Sequence, residues 1–254
     1  PKLAAEFAVS ARRLTAEADI WAIVPAAGAG ERMQSGTPKQ YLPLLGRPII
    51  LHTVTRLCGY AGFRGVLVGL APGDDTWSGL VASTVQQLPK FLGTFDGGAV
   101  RAVTVSNGLA ALASRAKDHD WVMVHDAVRP CVRHEDLEKL VVAVRACPDG
   151  ALLATPVADT VKRAEVDGRV RETVSRTGLW RALTPQMFPY AKLRDALSAA
   201  IAGGEDITDE SAAMERTGAR PMIVEGHPDN IKITHPSDLA LAELFLKQQA
   251  DEHA

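Results

Sequence analysis

Between Arg32 and Gly73 the sequence has neither aspartate nor glutamate, although Arg32, Lys39, Arg47, Arg56 and Arg64 all fall there. In a chain whose formal net charge is −2, one long segment is thus purely basic, which suits a small anionic ligand and not a nucleic acid. Cysteine is scarce as well. Cys58, Cys131 and Cys147 are odd in number and scattered, which excludes a disulfide framework or a paired-cysteine zinc site and points to a reducing cytoplasm. The histidines form no ligand cluster. No apolar run reaches membrane-spanning length, so no membrane partner is expected. Residues 1–19 mix Lys2, Glu6, Arg12, Arg13, Glu17 and Asp19 with alanines, lack the apolar core of a signal peptide, and are read as an extension without an assigned role.

Against these absences stands one stretch. Ile20–Val24 is an apolar run of strand length; Pro25, Ala26, Ala27, Gly28, Ala29 and Gly30 follow, then Arg32 and Lys39. Glycines let backbone N–H groups approach an anion closely, and the carboxyl end of an α/β strand is where such ligands bind. Two cations beside the loop suggest a polyphosphate. A dinucleotide fingerprint is excluded, because Met33 occupies its third glycine position and the acid-free segment removes the ribose-binding carboxylate. A P-loop is excluded by the missing Gly-Lys-Ser/Thr.

The remainder alternates. Helix signals over Pro48–Cys58, around Leu109–Ala116 and Leu137–Val144, and over Lys192–Ile201, Asp209–Arg216 and Ser237–Lys247 are interleaved with strand signals. The strands are expected at Val66–Leu70, Phe91–Phe95, Trp121–Val124, Ala151–Ala154, Met222–Val224 and Ile231–Thr234. Such alternation implies right-handed βαβ units, and hence a Rossmann-like three-layer α/β/α sandwich with a mostly parallel sheet. Residues 20–254 are read as a single domain. The polar run Thr160–Val174 breaks the pattern; its Asp167-Gly168 pair signals a hairpin, giving a projecting β-hairpin arm at about 157–178.

A second strand end carries His125-Asp126-Ala127-Val128-Arg129-Pro130. Two strand ends of one sheet share a crevice, so Asp126 is a candidate for organising Mg²⁺ or a ribose hydroxyl, and Arg129 adds charge. Taken alone, the same segment reads as a turn.

Pro-Ala-Ala-Gly-x-Gly-x-Arg-Met followed by Pro-Lys-Gln-Tyr resembles the cytidylyltransferases that act on 2-C-methyl-D-erythritol 4-phosphate. Further matches are Asp96–Val105, Pro156–Ala164, Arg176 with Leu179–Gln186, Ile207–Glu210 and Asp229–Thr234. Together they extend the resemblance from about Trp21 to Lys247. In the second nucleotide loop Val100 stands where the family usually has Glu, and Thr104 where Ser is usual; the hydroxyl survives.

The resemblance implies transfer of a cytidylyl group from CTP to a polyol phosphate, with release of pyrophosphate and help from Mg²⁺ or another divalent cation. Arg32, Lys39, Arg176 and Lys232 are implied as catalytic. Pro25, Ala26, Ala27, Gly28, Ala29, Gly30, Gly97, Thr104, Asp126, Ala127 and Arg129 would bind CTP. Thr160, Arg176, Thr184, Thr208 and Lys232 would bind the polyol phosphate, and the arm would cross to a second subunit in a homodimer. The nucleophile is a phosphate oxygen whose second pKa is about 6, so no general base is required. Other readings remain open: a cytidylyltransferase for another polyol phosphate such as ribitol 5-phosphate, a non-catalytic nucleotide-binding regulator, or a glycosyltransferase, although no Asp-x-Asp metal motif is evident.

Overall fold

Along Ile20–Pro25 (β1), Trp21 and Ile23 face one way, Ala22 and Val24 the other, and all four are buried. A strand apolar on both faces must be covered on both, at about 1.5–3 kcal/mol for each large side chain removed from water. The computed structural model describes residues 18–28 and 37–252 and shows that cover.

In chain order the elements after β1 are a short hairpin of Pro43–Leu44 (β2) and Arg47–Pro48 (β3), helix Ile49–Gly59 (α1), Gly65–Leu70 (β4), Asp75–Leu80 (α2), Ala82–Val85 (α3), Phe91–Asp96 (β5), Arg101–Leu112 (α4), Trp121–Val124 (β6), His134–Val144 (α5) and Ala151–Pro156 (β7). Then come Val161–Ala164 (β8), Val170–Val174 (β9), Trp180–Pro189 (β10), Tyr190–Ala202 (α6), Glu210–Arg216 (α7), Met222–Glu225 (β11) and Ser237–Asp251 (α8). The main sheet runs β11-β7-β10-β6-β1-β4-β5. β1 is parallel to both β4 and β6, whereas β10 is antiparallel to β6 and β7.

One face packs Ala22, Val24, Val66, Val68 and Met123 against α1, α5 and the α2–α3 turns. The opposite face packs Trp21, Ile23, Leu67, Val122 and Phe188 against α4, α6 and α7. A smaller cluster of Leu44, Ile49, Val128, Cys131, Ile233, Ala242 and Leu246 fastens α8 over the ends of the strands. The sandwich and its mostly parallel sheet are as expected.

Two expectations need correction. Trp180–Pro189, read only as the way out of the arm, is the longest strand of the sheet. Its apolar pattern is interrupted by Thr184-Pro185-Gln186, and the register with β7 shifts between Ala182 and Gln186, where a proline without an N–H costs no ladder bond. Ile231–Thr234 is not a strand. It has no regular secondary structure and is held to the loop after β6 by the Ile233 N–H donating to Val128 O at 3.0 Å.

The arm forms as expected. β8 and β9 pair with each other, and their turn closes with Gly168 at φ +86°, a conformation that favours glycine. The chain leaves β1 in one direction, through α1 to β4, and later crosses from β5 to β6 on its other side. The reversal opens a crevice outside the carboxyl ends of β1 and β6, where α/β sheets bind ligands.

Candidate functional site

The crevice is a pocket lined by Pro25 to Gly28, Lys39, Gln40, Gly98 to Arg101, Thr104, Asp126 to Val128 and Lys232. Of the expected nucleotide loop, Ala29, Gly30 and Arg32 lie outside the described residues. Its root is pinned on both sides. The Ala26 N–H donates to Gly69 O at 2.7 Å, and Gln40 Nε2 donates to Ala26 O at 2.8 Å. Gln40 is buried beside the half-buried Lys39 in a short 3₁₀ turn, so the glutamine fixes the segment from which the lysine reaches the pocket.

The second loop, after β5, approaches the first closely. A Cβ on Gly97 would lie 2.4 Å from the Ala27 Cβ, so glycine is required there for contact. Thr104 is buried; its Oγ1 accepts from the Gly98 N–H at 3.0 Å and donates to Val100 O at 3.2 Å. The hydroxyl expected to meet CTP therefore shapes the loop. Val100, at the position usually held by Glu, is exposed.

Arg101 does not lack a carboxylate for that reason. Its two terminal nitrogens donate to Glu210 Oε1 and Oε2 at 2.5 and 3.0 Å, and its Nε donates to Asp126 Oδ1 at 3.2 Å. Burial works against the charge on Arg101, but Glu210 and Asp126 outweigh it and raise the pKa overall. Neither Arg101 nor Glu210 was among the expected site residues. The Thr208-Asp209-Glu210 run was the available signal, but its partner lies 109 residues earlier.

Asp126 is the hub. It is buried, and besides Arg101 its Oδ2 meets Lys232 Nζ at 3.0 Å and Arg129 Nε at 3.3 Å. Burial alone would raise its pKa, but Arg101, Lys232 and Arg129 overcome that and hold it well below the usual carboxylate range. Arg129 also donates to Asn230 O at 2.7 Å.

His125 completes the support. Its Nε2 faces Arg129 O at 3.0 Å, and a carbonyl only accepts, so Nε2 carries the proton. Nδ1 then accepts from Thr184 Oγ1 at 3.0 Å, and the same oxygen accepts from the Asp126 N–H at 3.0 Å. Burial pushes the imidazole down to about 4. It is neutral at pH 7 with both nitrogens engaged, which leaves it no role as a general base.

Gly97 packs against Ala27 and lines neither this pocket nor the depression beside it, and the other described members of the expected set divide into three groups. Lys39, Thr104, Asp126, Ala127, Lys232 and the described part of the first loop line the pocket. Arg129, Thr184 and Thr208 instead line an adjoining depression, which shares Arg101, Asp126 and Lys232 with the pocket. Thr208 does not cap α7; Asp209 does, accepting from the Ala212 N–H at 2.9 Å. Thr160 and Arg176 are exposed on the arm and line neither cavity, and Arg176 donates to Ala158 O.

As a metal ligand Asp126 does not fit: both its oxygens are taken by cations. Among the described residues no group of three or more His, Cys, Asp and Glu side chains could hold an ion. No helix among the described residues is long and apolar enough to cross a membrane.

Comparison with known proteins agrees with this geometry. The profile of the family 2-C-methyl-D-erythritol 4-phosphate cytidylyltransferase matches residues 20–248. The chain is 46% identical over 228 residues to the protein of that name from Tolumonas auensis, covering 90% of this chain and 96% of that one. It is 50% identical over 228 residues to the Aeromonas hydrophila protein of the same name, with 90% of each covered. A crystal structure of a 4-diphosphocytidyl-2C-methyl-D-erythritol synthase superposes with a TM-score of 0.78 at 34% identity, over 91% of this chain and 99% of that one. The Francisella tularensis 2-C-methyl-D-erythritol 4-phosphate cytidylyltransferase gives 0.77 at 30% identity, over 90% of this chain and 100% of that one.

Proposed function

The chain belongs to the 2-C-methyl-D-erythritol 4-phosphate cytidylyltransferase family, and from that premise we propose how its residues divide the work. The enzyme joins CTP and 2-C-methyl-D-erythritol 4-phosphate to give 4-diphosphocytidyl-2-C-methyl-D-erythritol and pyrophosphate, in isoprenoid precursor synthesis. The observation that carries the division is the shared wall. Lys232, Arg101 and Asp126 border both the pocket and the depression, so two anions bound in the two cavities would meet across them.

CTP occupies the pocket. The small residues Ala26–Gly28 and the close Gly97–Gly98 loop leave room for a pyrimidine and exclude a purine, and Lys39, which lines the pocket, is assigned to the triphosphate, as Arg32 is by the family resemblance. The polyol phosphate occupies the depression, beside Thr184, Thr208 and Arg129. Lys232, held by Asp126, steadies its phosphate against the α-phosphorus. Attack by an already ionised phosphate oxygen needs positioning and absorbed charge, which this set of cations supplies without a base. The divalent cation, Mg²⁺ in the first instance, belongs to the nucleotide, entering on its phosphate oxygens as part of the substrate.

Thr160 and Arg176 serve a second subunit. Among the described residues β8 and β9 have no sheet partner but each other, and an isolated two-stranded hairpin is marginal in water. Exposed Val166, Val170, Leu179 and Trp180 along the arm and its base give a second copy something to cover. We accordingly read residues 20–254 as one nucleotidyltransferase domain that works as a cytoplasmic homodimer, with 1–19 as an extension.

The test is pyrophosphate release with CTP and, in turn, 2-C-methyl-D-erythritol 4-phosphate and ribitol 5-phosphate. Release is expected with the first and only weakly with the second. Equal kcat/KM for both would overturn the substrate assignment, and no release with either would favour a nucleotide-binding regulator.

A further inference from the structure

Arg47 and Arg56 come from the acid-free segment, yet neither lines the nucleotide pocket. They meet on another side of α1, in a cleft between that helix, the start of α5 and the end of α8, with a volume of about 520 Å³. His52, Thr55, Arg56 and Gly59 recur at i, i+3, i+4 and i+7, so one face of α1 forms a wall. His134 and Glu135, in the first turn of α5, present the positive end of that helix.

The cleft has unmatched needs. Arg56 is half-buried, and its guanidinium donates to Val132 O at 3.1 Å, with no carboxylate at ion-pair distance among the described residues. Arg47 has no ion pair among them either. Desolvation weighs on the Arg56 cation and lowers its pKa, the cost expected of a buried charge without a close counter-ion. The nearby acids answer it only in part, since Asp229 favours the Arg56 charge without coming within ion-pair distance. Arg133 binds Asp229 and Glu252 at 2.7 and 2.6 Å, and Glu135 faces His227.

Two neutral atoms are also stranded: Thr55 Oγ1 and Gln249 Oε1 are buried without hydrogen-bond partners among the described residues, and both residues line the cleft. Gln249 is 3% exposed. Its Nε2 donates to Cys131 O and Asp229 Oδ2, both at 2.9 Å, which fixes the amide with Oε1 left over. An acceptor in that position calls for a ligand hydroxyl.

We propose that this cleft is a second anion site, taking a small phosphate ester that also carries free hydroxyls. The phosphate sits on Arg47 and Arg56, and the hydroxyls reach Gln249 Oε1 and Thr55 Oγ1. His52 reports occupation. Its Nε2 donates to Leu44 O at 2.7 Å, and burial, then Arg47 and Arg56, hold its pKa below the ordinary value. A bound phosphate partly neutralises those arginines and raises it.

The experiment is an NMR titration of the His52 ring in the full chain, with glycerol 3-phosphate, inorganic phosphate and, at matched ionic strength, sodium chloride. Glycerol 3-phosphate should raise the His52 pKa, inorganic phosphate should need a concentration about tenfold higher, and chloride should have no such effect. Arg56→Gln should weaken the response about tenfold or more. Arg47→Gln, at an exposed position that does not threaten folding, should weaken it too, whereas Lys39→Ala should leave it unchanged. No upward movement with either phosphate, an equal response to chloride, or full retention in both arginine variants would overturn the site. Equal potency of the two phosphates would overturn the hydroxylated ester.

Discussion

The strand-end pocket and the arm are both rich in charge, and they settle it in opposite ways. In the pocket, Asp126 and Glu210 are buried and each oxygen has a cation or an N–H donor within the same chain. On the arm, Arg163 meets Glu172 at 2.6 Å with the two side chains 58% and 53% exposed, and exposed pairs of this kind contribute about 0–1 kcal/mol. The pocket is therefore rigid by its own contacts, whereas the arm has a shape but little that holds it. On the proposed reading, a segment that keeps Thr160 and Arg176 on so weak a support would gain its position from a second subunit.

Removing the arm is the harshest way to break that contrast. Deletion of 162–174 should leave the sandwich folded, convert a dimer to a monomer by sedimentation, and lower kcat/KM by about 10³-fold or more, since the groups it positions are lost together. An intact protein that is monomeric and fully active would show that the arm serves no partner.

Single cations sharpen the contrast. Lys39→Ala acts inside the pocket and should cost roughly 10²–10³ in kcat, by analogy with loss of one preorganised donor to developing charge. Arg176→Lys acts on the arm. It keeps the charge but loses the planar fork, so it should raise KM for the polyol phosphate about tenfold and leave KM for CTP almost unmoved. A change confined to CTP would reverse the two roles.

The smallest effect separates the regions by pH. Burial holds His125 neutral down to about 4, below the ordinary imidazole value of 6.5. As pH falls from 6.5 to 4 the unfolded chain takes up a proton that the folded one does not, so stability declines by about 3 kcal/mol across that window. Urea unfolding at a series of pH values should show the decline in the wild type and a flatter profile in His125→Asn. The arm-deleted protein should follow the wild type, because the exposed arm has no comparable buried group.

Much of this was legible in one dimension. The helical spacing of Leu137, Leu140, Val141 and Val144, the buried run of β4 and the Asp167-Gly168 turn each depend on neighbours a few residues away, and each element formed where expected. β10 was missed because its center, Thr184-Pro185-Gln186, breaks the alternation, and its place in the sheet is fixed by β6 and β7 on either side. Ile231–Thr234 has strand composition but no sheet edge to join. The carboxyl-end location of the site followed from sequence order alone, because the glycine loop and His125-Asp126 each follow an apolar run.

What the sequence by itself determined, then, is the class of fold, the hairpin and the glycine-rich, cation-flanked composition of the first loop, all set by local periodicity, turn chemistry and charge. Only the tertiary structure decided which charges belong together. Glu210 reaches Arg101, Lys232 reaches Asp126, Thr104 serves its own loop, and Arg47 and Arg56 leave the basic segment's pocket for a different cleft. Ion pairing depends on distance in space and on burial, and a side chain's neighbours across a sheet end are set by which strands adjoin, a quantity that no local spacing encodes.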